Sequence, residues 1–200
     1  MRTALADSPT RKRLLDAAEK LMLSQGFAAT SVEEICDAAK LTKGSFFHYF
    51  ESKDELGKAV LERYCADRRK GQETLLGTNP DPLSRIYTYL DTMAKSATDP
   101  SMSKGCLLGM FSQELCELNP EIQACCEQGF AGWTKRFAQE LAAAKAKHAP
   151  RKDFRPQELA EHLIAVVQGS LILGKAQKDM RILAKGLRHY KAYVRSVFGK

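Results

Sequence analysis

Apolar residues recur at helical spacing along almost the whole chain, and no useful length of sequence alternates as a half-buried strand does. Proline, glycine and capping residues divide this pattern into successive helices. Outside residues 30–56, the predicted helices run from Pro9 to Gly26, from Pro82 to Asp99, from Gly105 to Leu118, from Pro120 to about Lys147, from Pro156 to Gln177 and from Asp179 to Phe198. The pattern therefore predicts an all-α fold.

Three helix-start signals lie close together in the N-terminal quarter of the chain. Ser31 followed by Glu34, and Ser52 followed by Glu55, match the capping box, while Thr42 can cap a helix between them. The apolar positions after these signals are Val32, Ile35 and Ala39, then Phe46, Phe47 and Phe50, then Leu56, Val60 and Leu61. We therefore predict three short helices joined by two tight turns, with the third continuing to about Leu76.

The middle helix of the three has the composition of a DNA-reading helix. Two short helices joined by a turn of about three or four residues make a helix-turn-helix unit, whose second helix enters the major groove. Lys43, Ser45, His48 and Tyr49 supply groups for phosphate and base-edge contacts around an aromatic anchor. The sequence therefore predicts DNA binding through residues 42–49.

This stretch resembles the DNA-binding domain of the TetR/AcrR family of bacterial one-component repressors. The shared pattern is Thr30, Ile35, the run from Thr42 to Phe50, Lys53 and Leu56, and the likeness covers roughly residues 8–56. The resemblance implies a homodimer that binds a double-stranded DNA operator. The DNA-binding residues predicted from the motif are Thr30, Ser31, Thr42, Lys43, Gly44, Ser45, Phe46, His48, Tyr49 and Lys53.

Two positions depart from the family pattern. The turn before Leu41 usually carries glycine, but this chain has Lys40, so either the turn avoids a positive φ or the lysine adopts it at some cost. Phe47 stands where the family usually has a phosphate-binding tyrosine. We therefore expect His48, Tyr49 and Lys53 to make more of the contacts to the DNA backbone.

The net charge of +7 does not by itself predict DNA binding. Residues 1–55 hold eight Lys and Arg against nine Asp and Glu, whereas residues 141–200 hold 13 against four. A basic run of this kind is by default a solvated face. The DNA-binding prediction therefore rests on the motif.

The rest of the sequence favours a cytoplasmic regulator over an enzyme. There is no apolar run near 18 residues and no signal peptide, so the six cysteines are expected to stay reduced. No CxxC pair, catalytic motif or cofactor loop occurs, so we predict no metal, no cofactor and no catalytic residue. The alternative interpretations are cysteine catalysis with His162, an architectural DNA-binding protein and a purely structural helical dimer. Compared with a DNA-binding regulator, these alternatives account less well for the polar and basic side chains of residues 42–53 and for the long helical region that follows them.

The predicted organisation is a DNA-binding domain at residues 1–55, a linker helix at 53–76 and a regulatory and dimerisation domain at 56–200. The helix from Pro156 is apolar on too many sides for one buried stripe, which indicates a partner subunit. In the resembling family the last two helices pair across a two-fold axis. The predicted interface residues are Leu159, Leu163, Val166, Val167, Ser170 and Leu171.

The effector is predicted less specifically than the DNA site. The candidate pocket residues, which could also be ordinary core, are Met93, Cys106, Met110, Phe111, Phe130, Trp133 and Phe137. The segment around Cys106 resembles an electrophile-sensing branch of the family. A cysteine in the first turn of a helix, beside Lys104, is placed to favour the reactive thiolate. A reversibly bound small molecule and an electrophile both remain candidate effectors.

Overall fold

The computed structural model describes residues 8–77, 79–97, 99 and 104–200. Every regular element in these ranges is an α-helix, which confirms the predicted fold class. In chain order the helices are α1 (Pro9–Gln25), α2 (Val32–Ala39), α3 (Lys43–Tyr49), α4 (Lys53–Leu76), α5 (Pro82–Ser96), α6 (Leu107–Leu115), α7 (Pro120–His148), α8 (Pro156–Gln177) and α9 (Arg181–Phe198).

The predicted helix starts are largely those observed. Ser31 forms both halves of its capping box with Glu34. The hydroxyl of Ser52 accepts from the backbone N–H of Glu55, but the Glu55 carboxylate accepts from Glu51, so the second capping box is only half formed. The helix predicted from Gly105 to Leu118 is shorter, because α6 covers only Leu107–Leu115.

The described residues divide into two compact units. Unit 1 contains residues up to Ala66 together with Leu107–Gly129, so it joins α1–α3 and the first part of α4 to α6 and the start of α7. Phe111 of α6 meets Phe27 edge to face, with ring centroids 5.5 Å apart, and is fully buried. This packing explains why the units do not coincide with the predicted domains 1–55 and 56–200.

Unit 2 contains Asp67–Cys106 and Phe130–Lys200, and its core is formed by α5, α8, α9 and the second halves of α4 and α7. The hydroxyl of Tyr190 donates to the Leu159 carbonyl at 2.7 Å and links α9 to α8 inside this core. Helix α8 is long and apolar enough to span a membrane by length and composition. Seven of its residues are buried in the unit.

Candidate nucleic-acid interface

The turn between α2 and α3 is held by a lysine in the left-handed region. Lys40 has φ 52° and ψ 50°, so of the two alternatives for this turn it adopts the positive φ. Its N–H donates to the Asp37 carbonyl and that of Leu41 donates to the Cys36 carbonyl at 2.9 Å, which is the Schellman pattern. Arg13 of α1 donates to the carbonyls of Ala39 and Lys40. No motif in the sequence indicates this role of Arg13.

Helix α3 begins at a capped N-terminus that faces solvent. The Thr42 hydroxyl accepts from the backbone N–H of Ser45 at 3.2 Å. One side of the helix is buried, since Phe46 and Phe50 are 0% and 2% exposed. The opposite side presents exposed residues at helical spacing, namely Thr42, Lys43, Gly44, Phe47 and His48. We call these five residues the α3 face.

Phe46 is corrected from the predicted set of DNA contacts. Its side chain is fully buried and packs against Phe50 at 5.9 Å between ring centroids, so it anchors the helix and cannot reach DNA. The neighbouring Phe47 is 57% exposed, although its ring touches that of Phe46 edge to face at 5.2 Å. Phe47 is therefore the aromatic side chain that the α3 face offers, and it was not in the predicted set.

Gly44 has no structural reason to be glycine within this chain. A Cβ added to it would meet only the Thr42 hydroxyl, at an ordinary contact distance of 3.7 Å. Its φ is not in the left-handed region that favours glycine. Glycine in a helix costs up to about 1 kcal/mol relative to alanine. The space above Gly44 is therefore available for the close approach of something outside the protein.

Two polar contacts orient side chains beside the α3 face. The Lys43 ammonium pairs with Glu33 of α2, which raises the pKa of that lysine and keeps it charged. The Tyr49 hydroxyl lies 2.8 Å from that of Ser8, just before α1. Both groups are near the surface and can exchange these partners for a phosphate.

Lys53 and Thr30 have internal partners. The Lys53 ammonium donates to the carbonyls of Phe27 and Thr30, at 3.0 and 2.9 Å, and lies 4.4 Å from the centre of the Phe27 ring. Thr30 is 1% exposed and its hydroxyl donates to the Gly26 carbonyl at 2.7 Å. The Thr30 side chain is thus structural, while a phosphate contact by Lys53 stays a prediction.

The predicted pocket residues are divided between the two units. Met110 and Phe111 belong to unit 1, where Phe111 packs beside Phe27. The other five predicted residues belong to unit 2, and four of them lie in or against its core, namely Met93, Cys106, Trp133 and Phe137. Within unit 2, the Trp133 indole N–H donates to the hydroxyl of Tyr89 at 3.0 Å.

Cys106 is half-buried and comes just before the first residue of α6, rather than within the first turn as predicted. It is also the last residue of a segment of unit 2, so it lies where the chain passes between the units. Burial raises the pKa of the thiols of Cys36, Cys125 and Cys126, which disfavours their reactive thiolates.

The predicted dimer residues need a correction. Five of the six are buried inside the protomer's own unit 2, and only Val166 is half-buried. The buried five are Leu159, Leu163, Val167, Ser170 and Leu171. They cannot offer an apolar surface to a second chain because α8 turns this side toward its own core. The large exposed apolar side chains of α8 are instead Ile172 and Leu173, at 54% and 51% exposed, with Tyr193 of α9 at 49%.

Sequence comparison identifies both halves of the chain. The family model "Bacterial regulatory proteins, tetR family" matches residues 14–60. A second family model, "Transcriptional regulator LmrA/YxaF-like, C-terminal domain", matches residues 82–189. The two matches place α2 and α3 in a known DNA-binding domain and most of unit 2 in a known regulator domain.

Individual relatives agree with these matches. The chain is 30% identical to the HTH-type transcriptional repressor DhaR of Mycobacterium sp., over 88% of this chain and 87% of that one. It is also 30% identical to the HTH-type transcriptional repressor NemR of Escherichia coli, over 91% and 92% of the two chains. The crystal structure of reduced NemR gives a TM-score of 0.82 at 28% identity, covering 92% of this chain and 96% of NemR. The chain therefore belongs to the TetR family of bacterial transcriptional regulators.

Proposed function

We propose that this protein is a cytoplasmic repressor that binds a palindromic DNA operator as a homodimer and releases it when a small-molecule or electrophilic effector binds. The observation that carries the DNA-binding part is the α3 face. It is exposed, it follows a capped helix N-terminus, and it includes a glycine that the protein itself does not require. Close approach to DNA gives Gly44 a reason, because a methyl group there would stand between the helix backbone and the groove.

Three residues of the α3 face, Lys43, Phe47 and His48, have chemical roles in this proposal, together with the neighbouring Tyr49. Lys43 exchanges Glu33 for a base edge or phosphate, and His48 and Tyr49 bind the DNA backbone. The exposed ring of Phe47 offers apolar contact, which suits a thymine methyl group. The net charge of residues 1–55 is close to zero, so we expect affinity to depend on these placed contacts more than on bulk attraction.

The dimer surface that we propose is the exposed side of α8 and α9, carrying Ile172, Leu173 and Tyr193. Gly169 supports this choice, since a Cβ added there would meet nothing within 4 Å in the protomer. A small residue on an apolar helix surface lets a second helix approach closely. A two-fold pair of subunits would place two α3 helices on half-sites about one helical turn of DNA apart.

Transmission of the effector signal is proposed to use α6. Within unit 1 the Glu114 carboxylate of α6 accepts from the backbone N–H of Ala28 at 3.0 Å, and Phe111 packs on Phe27. Helix α6 is thus attached to the DNA-binding helices, and the chain just before it carries Cys106. A change in conformation or a covalent addition at that point would act directly on unit 1, provided that the effector favours the released state.

Substitution of Gly44 tests the DNA-binding proposal. Gly44→Ala and the control Gly71→Ala both place a methyl group on an exposed helical glycine with room for it. Both should stabilise the fold by up to about 1 kcal/mol. Only Gly44→Ala should weaken binding to the DNA flanking the protein's own gene, by tenfold or more in a gel-shift titration. Unchanged binding by Gly44→Ala would remove the α3 face from the interface.

The dimer surface is tested by placing a charge on it. Leu173→Glu should shift the protein toward monomer in sedimentation and weaken operator binding, because an unpaired carboxylate would be buried between subunits. Leu118→Glu is the matched control, since Leu118 is a 79% exposed leucine that belongs to unit 1 and to neither α8 nor α9. A wild type that is monomeric at micromolar concentration would contradict the dimer proposal.

The two classes of effector are separated by one reagent. If Cys106 is the sensor, N-ethylmaleimide should release the wild type and Cys125→Ser from the operator but leave Cys106→Ser bound. Equal release of Cys106→Ser and the wild type, or release of neither, would exclude the Cys106 mechanism and favour a reversibly bound small molecule.

A further inference from the structure

Unit 2 contains a buried carboxamide that is only partly hydrogen-bonded within the described part of the chain. Gln72 of α4 is 5% exposed, and its Oε1 accepts from the Nε of Arg136 of α7 at 2.8 Å. This bond fixes the orientation of the amide, because the reverse orientation would set two donors against each other. The Nε2 of Gln72 is buried and has no hydrogen-bond partner among the described residues. A buried donor left without an acceptor costs about 1–3 kcal/mol.

Tyr89 of α5 adds a second inward donor in the same unit. Its hydroxyl accepts from the indole N–H of Trp133, which can only donate, so the phenol proton is directed to another acceptor. Burial raises the pKa of Tyr89 to about 12, whereas the hydrogen bond from Trp133 and the positive charges of Arg136 and Arg68 act in the opposite direction. Tyr89 is therefore a neutral donor close to positive charge.

Trp133, the partner of Tyr89, and Arg136, the partner of Gln72, are three residues apart on α7 and so lie on the same side of that helix. Gln72 and Tyr89 are buried, Arg136 is half-buried, and each presents N–H or O–H groups. The charges that act on the Tyr89 hydroxyl are both positive. We call Gln72, Tyr89, Trp133 and Arg136 the donor cluster.

We propose that the donor cluster binds the carboxylate of a small organic acid, with the acid's apolar part against Trp133. Gln72 Nε2 and the Tyr89 hydroxyl donate to the carboxylate, and the Arg136 guanidinium supplies the charge. The apolar part meets a surface that is already aromatic, because the Phe137 ring lies 5.5 Å from that of Tyr89. A neutral amide of the same shape would bring its own N–H donors against the cluster and bind weakly.

Only one part of this inference rests on the proposed function, namely that the bound acid acts as the effector that releases DNA. Binding itself involves unit 2 alone and can be measured without DNA. A protein that binds the acid but no operator would contradict the proposed function and leave the donor cluster intact. A protein that binds its operator but no acid would contradict only the donor cluster.

Benzoate and benzamide are a matched pair of probes for the full-length protein, with acetate and inorganic phosphate as further arms. In calorimetry and thermal unfolding, benzoate should bind the wild type saturably and raise its Tm, whereas benzamide should do neither. Acetate should bind more weakly than benzoate because it lacks the apolar part. Phosphate binding as tight as that of benzoate would overturn the carboxylate assignment.

Gln72→Met removes the unpartnered donor with little change of volume and should weaken benzoate binding about tenfold or more. Gln168→Met is the control, because Gln168 also has a buried Nε2 without a partner in the described structure but is not part of the donor cluster. Tyr89→Phe is the second test variant, in case Gln72→Met folds poorly. Equal benzoate affinity in Gln72→Met, Gln168→Met and the wild type would overturn the proposal and leave a bound water as the partner of Gln72.

Discussion

The α3 face and the donor cluster place their polar groups in opposite surroundings. The α3 face exposes Lys43 and His48 to solvent. Helix α3 is positioned by the cap between Thr42 and Ser45, which are three residues apart, and by the buried rings of Phe46 and Phe50. The donor cluster holds its polar groups in the interior by long-range hydrogen bonds. The Tyr89–Trp133 bond joins residues that are 44 positions apart in the chain, and the Gln72–Arg136 bond joins residues that are 64 positions apart.

This difference has an energetic consequence. Exposed groups on the α3 face stay hydrated, so they can be exchanged for DNA contacts with little effect on the stability of the fold. A buried donor without an acceptor among the described residues, such as Gln72 Nε2, lowers the stability of the fold, and the proposed carboxylate would supply that acceptor. Mutations at the first site should therefore separate binding from stability, while mutations at the second should change both.

The sharpest form of this comparison lies within α3 itself, at two adjacent phenylalanines. Phe46→Ala should lower the free energy of unfolding by about 3–5 kcal/mol, because it empties a fully buried site. Phe47→Ala should lower it by about 1 kcal/mol or less, since it removes only an exposed ring. Operator affinity measured on the folded fraction should fall for Phe47→Ala. Similar losses of stability in both variants would show that Phe47 is part of the core.

Lys53 tests whether one residue can both stabilise the fold and bind DNA. Lys53→Met keeps the apolar stem over Phe27 but removes the donors to two carbonyls, so the free energy of unfolding should fall by about 1–2 kcal/mol in chemical denaturation. If the ammonium also binds a phosphate, the slope of log affinity against log salt should become shallower by about 1. An unchanged slope with reduced stability would assign Lys53 to the fold alone.

How far the sequence predicts each region follows from the range of its contacts. The starts of α2 and α3 depend on caps within three residues, and Ser31 and Thr42 were found from the sequence alone. Pairing of Gln72 with Arg136 depends on how two long helices pack, and neither residue was a predicted site residue. The sequence did not indicate, for a related reason, that five of the six predicted dimer residues are buried in their own unit. An apolar helix pattern does not reveal which side meets its own chain and which remains exposed, as Ile172 does.

A smaller effect is expected at the left-handed lysine beside the α3 face. Lys40→Gly should raise the free energy of unfolding by about 0.5–1 kcal/mol, because glycine adopts φ 52° without the clash of a Cβ. Lys178→Gly is the matched change in unit 2, where the lysine after α8 has φ 51° and the same N–H donation pattern. Equal gains in thermal unfolding would show that both lysines carry only backbone strain. A loss of operator affinity confined to Lys40→Gly would add a DNA contact to Lys40.

The smallest change in stability at neutral pH is expected from substitution of Asp81. This residue caps the start of α5 and also pairs with the distant Lys147 and His148. Its carboxylate accepts from the backbone N–H of Ser84 at 2.9 Å and from Lys147 and His148 at 3.0 and 2.6 Å. Lys147 comes first among the causes that hold the pKa of Asp81 well below its usual value of 3.8. A lowered pKa in the folded state means that the carboxylate stabilises the fold above about pH 4 and loses this contribution as the pH falls further.

Asp81→Asn keeps a good helix cap but carries no charge. The wild type should therefore be slightly more stable than Asp81→Asn at pH 7, and the difference in urea midpoint should shrink steadily below pH 4. A difference that stays constant with pH would show that the pairs with Lys147 and His148 contribute nothing beyond the cap.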